Sequence, residues 1–287
     1  MSTTLIFHSR VHHTNIRSQF VPDGLGSSRI RDRTNALIQL EDVNFNSAAI
    51  RSSLTRDASL NLIEALSQML DREMAMYRRS SSNTQLEARI IKASHLLMIV
   101  ISAIAKSSRL MAMFRQKHYD TILRCLTNCL GVHEDLVNTV LSNAIINCVH
   151  SLNVLFAVQD FKDHLSVARY ESVISVILDA LNFLVSDDGE QLQQGNAEVI
   201  LSQSTDPTDG PLFTELLTLF REFISPKSTA SLVLFANSNT PAAVDNYYLR
   251  ITSILVNYSN RLHKTRRESR ACTVIISIVN RCLLDLS

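Results

Sequence analysis

The stretch SLNLIEALSQMLDREMAMYR, Ser59 to Arg78, decides how the chain is read. Ile63, Leu66, Leu70, Met74 and Tyr77 recur at steps of three and four, which puts them on one face of a helix. No glycine or proline interrupts the run. The same pattern recurs on either side of it. Leu25–Leu40 opens the helical part. A helix over Leu86–Ala105, apolar almost all round, belongs between layers. Others are predicted over Ser108–Leu130, ending at Gly131, and over Glu134–Ala157, Val167–Val185, Leu212–Phe223, Val244–Leu262 and Arg270–Leu286. SSSNT, Ser80–Thr84, reads as a turn. No stretch alternates like a strand between hairpin turns.

Composition agrees. Of 287 residues, 46% are hydrophobic and 19% charged, with six glycines, five prolines and no tryptophan. That is globular, with few helix breakers and ample length for a core. The expectation is an all-α fold, an irregular α-solenoid of HEAT-like antiparallel helix pairs with no strict sequence period. Residues 1–22 read as an extension or a targeting segment. Residues 23–185 form a first helical array, 186–211 an acidic linker, and 212–287 a second set of helices continuing the first.

The net charge of +1 supplies no global field toward nucleic acid or an acidic membrane. It is unevenly spread, because no Lys or Arg lies between Arg169 and Arg221, whereas His263–Arg270, HKTRRESR, is basic. That basic segment reads as a solvated turn, an import signal or a phosphate patch, and it lacks the aromatics that stack bases. The five cysteines sit in apolar helical patterns, as reduced thiols do. The run HLLMIVISAIA from His95 is too short to cross a bilayer. The N-terminal MSTTLIFHSRVHHTNIRSQF, with two arginines and no acid, resembles a mitochondrial presequence without a clear amphipathic stripe.

Motifs for chemistry are scarce. The chain has no glycine-rich phosphate loop, no kinase catalytic loop, no nucleophile elbow and no zinc-binding helix motif. Cys125, Cys129 and His133 recur every four residues, followed by Cys148 and His150. Core packing explains the thiols better than a metal does, because the spacing matches no closed zinc site. Ser18, Ser67, Thr84 and Ser202 each precede glutamine, and Ser202, in the acidic linker, is the best candidate for phosphorylation.

LGSSRIRDRTNALIQL, Leu25–Leu40, poses the remaining puzzle: three arginines at the start of a helix, where positive charge is disfavoured. A helix starting near Ser27 or Ser28, capped by a hydroxyl, would set Arg29 and Arg33 on one face. Their partners are then either acids of a neighbouring helix or another protein. Leu25, Arg29, Arg31, Asp32, Arg33, Leu37 and Leu40 follow a family pattern without a gap. The stretch resembles the N-terminal motif of fungal kinases related to ataxia-telangiectasia mutated, within the phosphatidylinositol-3-kinase-related Ser/Thr protein kinases. A looser likeness reaches about Leu130. The resemblance implies a nuclear, non-catalytic helical scaffold of a DNA-damage-response and telomere-maintenance kinase. It implies recruitment by a DNA-end sensor complex, indirect contact with DNA, and no cofactor, membrane or small-molecule substrate. The alternatives are a helical-repeat adaptor unrelated to DNA damage and a mitochondrial helical protein.

Overall fold

The computed structural model describes residues 24–53, 56–79, 83–112, 116–132, 135–136, 138–158, 161, 165–186, 211–223, 250–260 and 275. Every regular element among them is a helix, so the chain is all-α. The elements are α1 (Ile30–Glu41), α2 (Ala48–Ser53), α3 (Arg56–Tyr77), α4 (Thr84–Ala105), α5 (Ser108–Met111), α6 (Gln116–Leu130), α7 (Thr139–Phe156), α8 (Val167–Val185) and α9 (Pro211–Phe223). Residues 250–260 are also helical. The extension 1–22, residues 187–210 of the acidic linker with Ser202, the basic segment 263–270 and most of 270–287 lie outside the described residues.

Local chemistry sets the boundaries. Asn83 caps α4, its Oδ1 accepting from the Gln85 and Leu86 N–H groups, so the helix starts two residues before the apolar pattern does. Ser166 caps α8 through the Arg169 N–H, and that helix matches its predicted span. Pro211 opens α9 at the position where a missing N–H costs nothing. The expected helix Ser108–Leu130 contains two elements, α5 and α6. The Ser107 hydroxyl caps the first, which ends at Met111, and α6 begins only at Gln116. The helix expected from Glu134 begins at Thr139, because the Asn138 side chain takes the Leu141 N–H and fixes the start there.

Packing orders the long helices into two rows. In one row α3 touches α6 and α6 touches α8; in the other α4 touches α7 and α7 touches α9. The rows are joined by α3 against α4, α6 against α7, and α8 against α9, while α1 leans on α4. Helix α4 has the length and apolarity of a membrane span, more than the short run from His95 suggests. In this fold it is the central core helix, with Leu86, Ile90, Leu97, Ile101 and Ile104 all buried.

A second concentration of packing lies at the other end. Phe156 meets Phe223 at 4.1 Å and Phe161 at 5.3 Å between ring centroids, and Tyr119 meets Phe161 edge-on at 4.8 Å. The Tyr170 hydroxyl donates to the Phe223 carbonyl, closing the end of α9.

Candidate functional site: a turn and helix built on a buried ionic triad

The sequence motif folds as a tight turn followed by α1. The Ser27 N–H returns to the Gly24 carbonyl at 3.1 Å. Gly24 lies so close to the helix that an added Cβ would stand 2.4 Å from the Asp32 carbonyl oxygen and 3.2 Å from the Ala36 Cβ. Only glycine permits that approach. Leu25 is thereby carried into the core ahead of the helix, joining Leu37 and Leu40 there.

The helix starts at Ile30, later than Ser27 or Ser28, with Arg29 at the N-cap in extended conformation. The Ser27 hydroxyl is occupied otherwise: it donates to Asp32 Oδ2 at 2.9 Å and accepts the Arg29 N–H at 3.1 Å. Because Arg29 precedes the first helical turn, it does not share a face with Arg33 as expected. Arg29 and Arg31 are exposed, whereas Arg33 is 1% exposed.

Arg33 is the centre of the site. Its Nε donates to Glu73 Oε1 at 2.6 Å. Its Nη1 donates to the Ser27 and Ser28 carbonyls at 2.8 and 2.9 Å, pinning the turn. The other Glu73 oxygen accepts from Arg89, at 3.1 Å from Nε and 3.0 Å from Nη2. All three side chains are buried. One carboxylate on α3 therefore holds two guanidiniums, from α1 and α4. Outside this triad, Arg72 donates to the Ser27 carbonyl at 3.1 Å, and Lys92 pairs with Glu41 at 2.5 Å across α4 and α1.

Of the two partners open to the motif arginines, acids of a neighbouring helix or another protein, the structure shows the first, for one of the three. Arg33 has the acid. The Arg29 and Arg31 side chains form no hydrogen bond or ion pair among the described residues. Glu73 and Arg89 are the members that motif reading missed. Their signal was present in the pattern: each is a charged residue inside the apolar stripe of its helix, and the two are opposite in sign.

The cysteines form a sulfur-rich part of the core. Cys125, Cys129 and Cys148 are free and buried, and Cys129 Sγ lies 3.4 Å from Met74 Sδ. The hydrogen bond from Cys129 and then burial push the Cys125 thiol well above its ordinary pKa. At Cys129 the Cys125 hydrogen bond acts downward, but Cys148 and burial outweigh it, and this thiol too lies well above the ordinary value. Such thiols stay protonated and unreactive. Among the described residues no group of three or more His, Cys, Asp or Glu side chains could hold a metal ion. His133 lies outside them, and His150 faces Glu215 at 3.7 Å instead. Asp71, beside Cys125, is raised above the ordinary carboxylate pKa by burial, partly offset by the Cys125 hydrogen bond and by Arg124 and Arg78. Ser67 is 1% exposed, which removes it from reach of any kinase.

A helical array whose first turn and helix are locked by an internal ion triad defines a structural module. The family model for telomere-length maintenance and DNA damage repair matches residues 20–171, more than half of the 287 residues. The chain belongs to that family. The match runs from the residues before the turn, through the whole motif and the triad, into the first turn of α8. It corresponds to the N-terminal segment of kinases like ataxia-telangiectasia mutated, and it places the chain in telomere maintenance and DNA damage repair. The reading as an adaptor unrelated to DNA damage is thereby set aside. No curated protein and no solved structure matches the chain.

Proposed function

We propose that this chain is the non-catalytic N-terminal scaffold of a DNA-damage-response and telomere-maintenance Ser/Thr kinase, acting in the nucleus by protein–protein recruitment to DNA ends. The observation that carries this reading is the family match over residues 20–171, which spans the arginine motif and the first paired helices. The two-row packing, in which each long helix touches the next long helix but one, supports an irregular α-solenoid. Such arrays offer long surfaces to partners, and a DNA-end sensor complex is the partner this role calls for. Contact with DNA is then indirect, and neither cofactor nor small-molecule substrate is required of the chain.

The test follows the fluorescently tagged chain in cells carrying focused DNA breaks. Accumulation at the breaks that depends on the end-sensing complex is the expected result. A chain that stays diffuse, or that collects in mitochondria, would overturn the proposal. Phosphate transfer from ATP to a Ser-Gln peptide by the purified chain would overturn its non-catalytic part.

A further inference from the structure

We propose that the outward face of α1 is a docking surface for an acidic segment of a partner protein that also carries apolar side chains. The proposal rests on the recruitment reading above and names the surface and the chemistry it selects.

At about 100° per residue, Arg31 and Ile38, seven positions apart, project within about 20° of each other. The buried residues Arg33, Ala36, Leu37 and Leu40 gather on the opposite side. Among the described residues four large apolar side chains are strongly exposed, and two of them, Ile30 at 45% and Ile38 at 48%, lie on this one helix. Thr34, between them at the same four-residue spacing, turns its hydroxyl back to the Ile30 carbonyl at 3.0 Å. Ile30, Thr34 and Ile38 therefore form an apolar strip with the Arg31 guanidinium beside it and Arg29 at its head.

Among the described residues the positive charge of Arg29 and Arg31 has no ion-pair partner. The two acids within α1 that could supply one are engaged elsewhere, Asp32 with the Ser27 hydroxyl and Glu41 with Lys92. Asp42 lies past the far end of the helix, about 16 Å along the axis from Arg31. Arg72 adds a third guanidinium near the turn, donating to the Gly26 and Ser27 carbonyls. Arginines at a helix start work against the helix dipole, so carboxylates brought by a partner relieve a repulsion as well as forming pairs. The apolar strip decides between acidic partners. A nucleic-acid backbone would leave Ile30 and Ile38 uncovered, whereas a peptide with leucine or phenylalanine among its acids covers them and places carboxylates on Arg29 and Arg31.

The experiment selects binders from a displayed library of random 16-residue peptides on the purified full chain. Enriched peptides are resynthesised with a fluorophore and titrated by anisotropy. Peptides that combine net negative charge with large apolar residues are expected. Their binding should weaken at least tenfold in Arg29→Glu/Arg31→Glu and in Ile38→Asp, with far-UV circular dichroism and Tm unchanged. Failure to enrich peptides, enrichment without acidic bias, or binding indifferent to these substitutions overturns the proposal. So does a self-association abolished by Ile38→Asp, which would assign the face to a second copy. Binding to a labelled DNA duplex, lost in the arginine variant while peptides fail, assigns it to phosphates and equally overturns it. Recruitment of the same variants to DNA breaks is scored in parallel. If the wild-type chain is recruited and both variants follow it unchanged, the docking surface is wrong and recruitment stands. If the wild-type chain is not recruited while its peptide binding behaves as expected, the recruitment reading fails and the surface stands.

Discussion

Replacing Glu73 by glutamine is the sharpest perturbation of this fold. The carboxylate accepts an N–H from Arg33 at 2.6 Å and one from Arg89 at 3.1 Å, with the Arg89 Nη2 in ion-pair contact at 3.0 Å. Glutamine keeps the shape but has one carbonyl for two guanidiniums, and its amide points further donors at the other. Two like charges then remain buried with nothing to neutralise them. Removing one member of a buried ion network costs about 3–5 kcal/mol, a large part of a total stability of about 5–15 kcal/mol. At about 2–4 °C per kcal/mol, Tm should fall by roughly 6–20 °C. The loss should begin locally, so amide exchange should rise first in residues 24–41 and leave α7 to α9 protected. Urea unfolding followed by circular dichroism gives the free energy, and exchange mass spectrometry gives the location. The triple variant Arg33→Met/Glu73→Met/Arg89→Met should recover most of the loss, because it leaves no charge buried. A cost below about 1 kcal/mol, the level of exposed ion pairs, would refute the claim that this triad is desolvated and holds the motif in place.

Other expectations follow from single contacts. Gly24→Ala sets a methyl group 2.4 Å from the Asp32 carbonyl oxygen and should cost about 1–3 kcal/mol through forced displacement, read by the same unfolding curve. Ser67 Oγ is buried without a hydrogen-bond partner, so Ser67→Ala should leave stability unchanged or raise it by about 1 kcal/mol. Asn83→Ala removes the cap of α4 and should cost about 1 kcal/mol. Asp71 has a folded-state pKa above its ordinary value, chiefly through burial. Its contribution to stability is therefore present at low pH and lost as pH rises through that raised pKa. Asp71→Asn should then have a higher Tm than wild type at pH 7, with the gap narrowing as pH falls toward 4 in a pH series of melting curves.

Much of the fold was legible because helical periodicity is local. The stripe Ile63, Leu66, Leu70, Met74 and Tyr77 predicts both a helix and the face it buries, and Leu66, Leu70 and Met74 are all nearly inaccessible. The boundaries that went astray depended on single polar side chains. Ser27 or Ser28 was expected to start and cap α1, but the Ser27 hydroxyl serves Asp32, and the helix starts at Ile30. Asn138 fixed the start of α7 inside what periodicity reads as continuous helix. At the candidate site the motif residues were found as a string, and their division was not. Arg29, Arg31 and Arg33 are chemically alike, and only the position of Glu73, 40 residues from Arg33, decides which of them turns inward. A carboxylate in one apolar stripe and a guanidinium in the next are the pattern that identifies such a pair in advance.

The triad also imposes an order of events on the nascent chain. The motif is synthesised first, but the carboxylate that Arg33 requires follows it by 40 residues. At about 5–20 residues per second, the arginine waits roughly 2–8 s for its counter-ion. During that interval the turn 24–28 has nothing to hold it against α1 except its own short-range bonds. The α3–α4 hairpin, made of neighbouring segments, must close before the leading end can settle onto it. The motif arginine is thus made before the acid that fixes it, and any factor that shields arginine-rich nascent segments would find this one open during synthesis.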